Sequence, residues 1–205
     1  MEIVFGTTNG AKIAYMRKTL APIGIEVASL TDAGAPDLDI DENGGTPLEN
    51  ARIKAAAYYK ALKRPVFSCD SGLYIDGLDE ARQPGLNIRG AGSRPMDDSE
   101  TTAFYAALAA EFGGRVVARY RNAICFIYDD ARIFEYQGGD LTSEVFYITD
   151  KPHAKRVAGF PIDRLSVHIK SGLYYYDMDG YNEKYPDTES GYAAFFFKAL
   201  AEITR

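Results

Sequence analysis

The sequence predicts a mixed α/β fold, and three observations carry that expectation. Helix-like and strand-like segments alternate through the first half of the chain. Strand-like segments separated by short turns dominate the second half, the pattern of antiparallel pairing. The 205 residues are 46% apolar, enough to bury a sizeable core in a single domain, 1–205, that has room for two lobes.

Ile3, Val4 and Phe5 read as a buried strand, Gly6 to Gly10 as a small polar loop, and Ala11 to Leu20 as a helix with Ile13, Met16 and Leu20 at helical spacing. Gly24 stops that helix, and Ile25 to Leu30 is a strand. Thr31 to Gly45 is polar and turn-rich. Thr46 is placed to cap a helix with Pro47 in its first position and Glu49 in the box position, and this helix runs through Leu62. A short strand from Pro65 to Cys69 leads through a tight Ser71-Gly72 turn to a second extended piece, Leu73 to Leu78. Asp79 to Asp97 is a long loop. Ser99 caps a helix reaching Phe112, stopped by Gly113 and Gly114. Val116 to Tyr128 and Ala131 to Gln137 form a hairpin about Asp129-Asp130. Leu141 to Ile148 and Ser166 to Tyr176 are strands, and Ala193 to Ile203 is a closing helix.

The formal net charge of −6 argues against a nonspecific nucleic-acid binder. An anionic substrate therefore needs a local positive site or a metal. Cys69 and Cys125 lack CxxC spacing and suggest no disulfide framework. Met1 leads directly into strand-like residues without a secretory pattern, and no apolar run is long enough for a bilayer, so a soluble cytoplasmic protein is expected.

Three groups of residues carry chemistry. Thr7, Thr8, Asn9 and Lys12 follow a buried strand and open a helix. They read either as a helix-capping turn or as a phosphate loop whose hydroxyls and N–H groups meet oxygens while Lys12 supplies the point charge. The spacing is not that of a Walker A loop. Glu42 precedes the second helix and Asp70 follows the next strand, each just outside an element that holds it, with Asn50 and Lys54 four apart on one helix face between them. Carboxylates for a hard cation, with amide and ammonium donors for oxyanions, equip a chain for chemistry on phosphates. The run Asp39 to Gly44 opens like a calcium loop but has Asn50 where the bidentate glutamate belongs. Cys69 reads as a small buried hydrophobe, Phe195 to Phe197 as core, and Arg115, Arg119 and Arg121 as a solvated edge.

Taken together, TTNGAK, ENGGTPLENARIKA and SCDSGLYIDGLDEARQPG resemble the inosine triphosphate pyrophosphatase family, in the right order across roughly the first ninety residues. The resemblance implies an elongated central sheet with flanking helices and two lobes around a cleft that holds the site. It also implies hydrolysis of a nucleoside triphosphate, such as ITP, dITP or XTP, to the monophosphate and pyrophosphate, with Mg2+, usually by a homodimer. By position, Thr8, Asn9 and Lys12 bind phosphate, Glu42 holds the metal, Lys54 holds the phosphate chain, and Asp70 is the metal-linked acid that activates water. Thr7, Asn50, Ser71 and Gly72 join the substrate-binding set. The carboxyl half departs from the family. AGFPIDRLS keeps Gly159, Phe160 and Asp163 of the stretch whose aromatic packs on the purine. Lys184 stands in for a blurred lysine motif, and Ser190-Gly191-Tyr192 falls where the family has its base-reading Ser-His-Arg. Two rival readings accompany hydrolysis: a nucleotide binder without turnover, and a pyrophosphatase with altered base preference.

Overall fold

The computed structural model describes residues 1–90, 94–178 and 186–204. The chain divides into two compact units. Met1–Ser71, Arg121–Thr142 and Asp187–Arg205 form the first, and Gly72–Tyr120 with Ser143–Pro186 form the second.

In the first unit, β1 (Glu2–Phe5) pairs in parallel with β2 (Glu26–Ala28) and with the start of β3 (Val66–Ile75). Parallel strands need crossovers, and α1 (Gly10–Leu20) and α2 (Pro47–Leu62) supply them. The end of β4 (Arg115–Ile127) pairs antiparallel with β5 (Ile133–Tyr136). Asp129 closes that hairpin by accepting from the Ala131 and Arg132 amides. The core joins Ile3, Phe5, Leu20, Phe67, Phe126 and Phe196, with Phe5 stacked on Phe67 at 4.3 Å. Helical periodicity divides the expected Phe195–Phe197 core run in α4 (Pro186–Ile203). Phe195 and Phe196 are buried and Phe197 is 70% exposed.

The second unit contains α3 (Asp98–Glu111), the end of β3, the start of β4, β6 (Phe146–Thr149) and β7 (Ser166–His168). β6 runs antiparallel to both β4 and β7. Leu73, Tyr105, Leu108, Val116, Phe146 and Leu165 are in its core. The strands hydrogen-bond in the order β2-β1-β3-β4-β6-β7, and β5 pairs with β4. This is a mixed α/β sheet, as the alternation of elements predicts. Among the described residues no helix is long and apolar enough to cross a membrane, and both cysteines are free thiols.

Several local expectations are corrected. The tight turn at Ser71-Gly72 does not form; β3 runs straight through it. Leu73 and Gly85 exchange both backbone hydrogen bonds at 2.9 Å, and a Cβ on Gly72 would lie 2.9 Å from the Tyr74 ring and 3.3 Å from the Gly85 carbonyl carbon. The glycine thus serves a close backbone approach within a strand. The strand expected from Ser166 to Tyr176 stops at His168, because Gly172 at φ +69° turns the chain back so that Tyr174 bridges Val167. The strand expected from Leu141 begins only at Phe146, since Leu141 closes a short 3-10 turn. The closing helix starts at Pro186, a residue suited to a first helical position, rather than at Ala193.

The cap of α3 is Asp97, not Ser99. Asp97 accepts the Glu100 amide at 2.8 Å, and Glu100 returns the bond to the Asp97 amide at 2.9 Å, a reciprocal box that Ser99 has no acid to complete. Asp97→Ala is expected to cost about 1 kcal/mol of stability, measured as a lower urea midpoint, while the exposed Ser99→Ala changes little. The reverse order of effects would return the cap to Ser99.

Candidate active site

The predicted cluster assembles within the first unit. Thr46 caps α2 by accepting the Glu49 amide, and Pro47 occupies the first turn. Glu49 does not close the box on Thr46; its carboxylate takes the Gly45 amide at 2.6 Å and braces the loop before the helix. Asn50 and Lys54 then point from one face of α2 toward β3. The Asn50 side-chain amide donates to Asp70 Oδ2 at 3.1 Å. The Lys54 ammonium lies 2.7 Å from Glu42 Oε2 and 3.1 Å from Asp70 Oδ1. The Lys54 and Asp70 side chains are only 13% and 15% exposed, and Glu42 is 43% exposed. Burial works to lower the Lys54 pKa, but the Asp70 charge and the contact with Glu42 outweigh it and hold the ammonium above its ordinary range.

Asp70 is therefore a mid-strand residue, not one at a strand end, and Glu42 reaches it through Lys54. Two carboxylates already converge on one cation. Among the described residues no group of three or more His, Cys, Asp or Glu side chains could hold a metal. The donor set that does exist, two carboxylates, has the chemistry of a site for a hard divalent cation.

The Thr7–Lys12 loop is tied to the same strand. The Gly6 amide donates to Phe67 O at 2.8 Å, and Ser68 Oγ donates to Gly6 O at 3.0 Å. A Cβ on Gly6 would lie 3.1 Å from the Tyr58 ring, so a larger residue there would have to push that ring by a few tenths of an ångström. Asn9 caps α1 through its side-chain oxygen, which accepts from Ala11 and Lys12, and its own amide donates to Thr7 Oγ1. The capping reading of Asn9 is thus correct. Thr8 and Asn9 remain exposed at the helix N-terminus, where anions are favoured. The Lys12 charge acts on the thiol of Cys69, the neighbour of Asp70.

Cys69 is buried, and burial pushes its thiol up to about 12, leaving it inert as a nucleophile. Its hydrogen-bond partner is Tyr192, itself buried with a phenol raised well above the ordinary range by desolvation. Where the family's base-reading motif has its His and Arg, Gly191 and Tyr192 are therefore core. A Cβ on Gly191 would fall 2.3 Å from the Asp140 carbonyl oxygen, so α4 packs too closely for any side chain there.

Ser71 and Gly72 follow Asp70 along β3. Phe160 and Asp163 belong to the second unit, where half-buried Phe160 opens the 3-10 turn Pro161–Leu165 and Asp163 is buried within it. The preceding Gly159 amide donates to Asp98, which also pairs with Arg89. Lys184 lies outside the described residues. The sequence reading did not anticipate the part played by Gly44, whose amide donates to Asn50 Oδ1 at 2.8 Å; the Gly44-Gly45 pair ahead of a helix cap was the available signal.

Comparison with known proteins gives the family and the fold. The model of the Ham1 family matches residues 3–153. A Rhodopseudomonas palustris protein named dITP/XTP pyrophosphatase is 38% identical over 141 residues, covering 66% of this chain and 65% of that protein. A Geobacillus kaustophilus protein of the same name is 35% identical over 167 residues, covering 73% of this chain and 79% of its own length. In fold, the chain resembles a HAM1 protein from Coxiella burnetii, with a TM-score of 0.73 at 23% identity over 97% of this chain and 99% of that one. It also resembles the Staphylococcus aureus Ham1 protein, with a TM-score of 0.70 at 22% identity over the full length of both.

Proposed function

Because this chain belongs to the Ham1 family, we propose that it is a magnesium-dependent nucleoside triphosphate pyrophosphatase acting on non-standard purine nucleotides such as ITP, dITP and XTP. The observation that carries the reading is the chain of contacts linking Glu42, Asn50, Lys54 and Asp70, on the strand to which the Thr7–Lys12 loop is also tied. The names of the relatives support the substrate class.

Asp70 orients and deprotonates the attacking water. That water adds to the phosphorus of the monophosphate, and the bond to the pyrophosphate oxygen breaks. Lys12 and Lys54 stabilise the negative charge that grows on the transferring and leaving groups. The Thr7 and Thr8 hydroxyls and the Asn9 side chain, at the start of α1, receive phosphate oxygens, with the Ser71 and Gly72 backbone of β3. Glu42 and Asp70 would hold the magnesium ion, which when bound neutralises phosphate charge. The family resemblance assigns Phe160, Asp163 and Lys184 to the base end of the substrate, where an aromatic can stack on the π-face of any base.

A second reading keeps hydrolysis and relaxes the base preference. It is favoured by the burial of Tyr192 and the crowding at Gly191, which leave no accessible side-chain donor where the family's Ser-His-Arg has its His and Arg. Pyrophosphate release from ITP, dITP, XTP, ATP and GTP, with and without magnesium, separates the two. Magnesium-dependent release from ITP, dITP and XTP is expected. A small gap between ITP and ATP supports the second reading, and a gap of several orders of magnitude removes it. Release from none of the five would leave a nucleotide-binding protein without turnover.

A further inference from the structure

We propose that Asn50 is a positioning residue, a buried amide clamp that sets Glu42 and Asp70 in place, and that Gly44 is glycine to admit it. This rests on the reading of the cluster as a metal-dependent active site. Asn50 is only 4% exposed on the inner face of α2. Both ends of its amide are used by the protein: Oδ1 accepts the Gly44 amide at 2.8 Å, and Nδ2 donates to Asp70 Oδ2 at 3.1 Å. The orientation of the amide is dictated by its partners, since a backbone N–H only donates and a carboxylate only accepts. One side chain therefore ties the loop carrying Glu42 and the strand carrying Asp70 to the same helix.

The fit is tight on the loop side. A Cβ on Gly44 would lie 2.6 Å from Asn50 Oδ1 and 2.7 Å from Glu49 Cβ, inside any real contact. The contact also gives the two oxygens of Asp70 different surroundings. Oδ2 is held by Asn50, and Oδ1 faces Lys54, which also pairs with Glu42. A carboxylate fixed by one oxygen presents the other in a defined direction, as groups behind metal ligands do. Aspartate at position 50 would lack the donor, and an aliphatic residue would lack both groups.

The test compares the wild type with Asn50→Ala, Gly44→Ala and the double variant. Manganese binding is titrated by electron paramagnetic resonance, with a triphosphate analogue whose bridging oxygen between the first two phosphates is replaced by a methylene group. Analogue binding without metal is measured in parallel by calorimetry. Each single variant is expected to lose about ten-fold or more in manganese affinity, while in Gly44→Ala analogue affinity without metal changes less than about two-fold. The double variant should be no worse than the weaker single one, because both changes break the same contact. A merely structural role would lower the folded fraction and leave the affinity of the folded molecules unchanged. Gly44→Ala lies outside the core, so it keeps the test open if Asn50→Ala fails to fold. Unchanged manganese affinity in the variants, or losses that multiply in the double variant, would overturn the clamp while leaving the active-site reading intact. A wild type that neither binds manganese with the analogue nor releases pyrophosphate would remove the reading itself, and the clamp with it.

Discussion

Asp70→Asn is expected to reduce kcat by roughly two to four orders of magnitude while nucleotide binding survives. The substitution preserves shape. An amide oxygen at position 70 still accepts from the Asn50 side chain, and Lys54 keeps its 2.7 Å contact with Glu42. What disappears is the charge and basicity needed to take a proton from water. Stopped-flow release of pyrophosphate gives kcat, and calorimetry with a non-hydrolysable triphosphate gives affinity. A folded variant with wild-type turnover would show that another group activates the water.

The second large effect is expected at Lys54. Its ammonium is mostly buried between two carboxylates and carries positive charge at any pH near neutrality. Lys54→Ala removes that charge from where phosphate charge develops in the reaction, and losing one such preorganised donor costs about a hundred- to a thousand-fold in rate. The loss in kcat/KM should be the same for ITP and ATP, since Lys54 acts on the phosphate end. A loss that depends on the base would place Lys54 at the wrong end of the substrate. Part of the effect will be a local rearrangement, because Asp70 and Glu42 lose the cation they share. The Glu42 arm contributes little to stability by itself, since a half-exposed ion pair is worth about 0–1 kcal/mol. The melting temperature of the variant separates that contribution from the catalytic one.

How much of this was legible in the sequence differs from element to element. The bounds of α2 follow from local chemistry alone: Thr46 as cap, Pro47 in the first turn and an unbroken helical run to Leu62. The shared face of Asn50 and Lys54 follows from helical geometry. The same kind of signal misled at α3, where Ser99 looked like a cap. The true cap is one of two adjacent aspartates, chosen by which one finds Glu100 three residues later.

The Asp-Ser-Gly segment shows why local reading stops short. Its composition is that of a turn, and the chain nevertheless stays extended. The reason is Gly85, distant in sequence, whose backbone pairs with Leu73 and needs Gly72 bare of a side chain. Tyr192 is a similar case. By position it falls where the family reads the base, and packing against Cys69 puts it in the core.

The sequence by itself determined the class of fold, the identity of the acids and lysines, and the place of the Thr7–Lys12 loop at a helix start. Those depend on periodicity, caps and residue chemistry, which act over a few neighbours. Only the tertiary structure decided that Lys54 lies between Glu42 and Asp70, that Asn50 is spent on Gly44 and Asp70, and that Gly191 leaves no room for a side chain. Those are distances between segments far apart in the chain, set by how helices and strands pack. No local propensity encodes them.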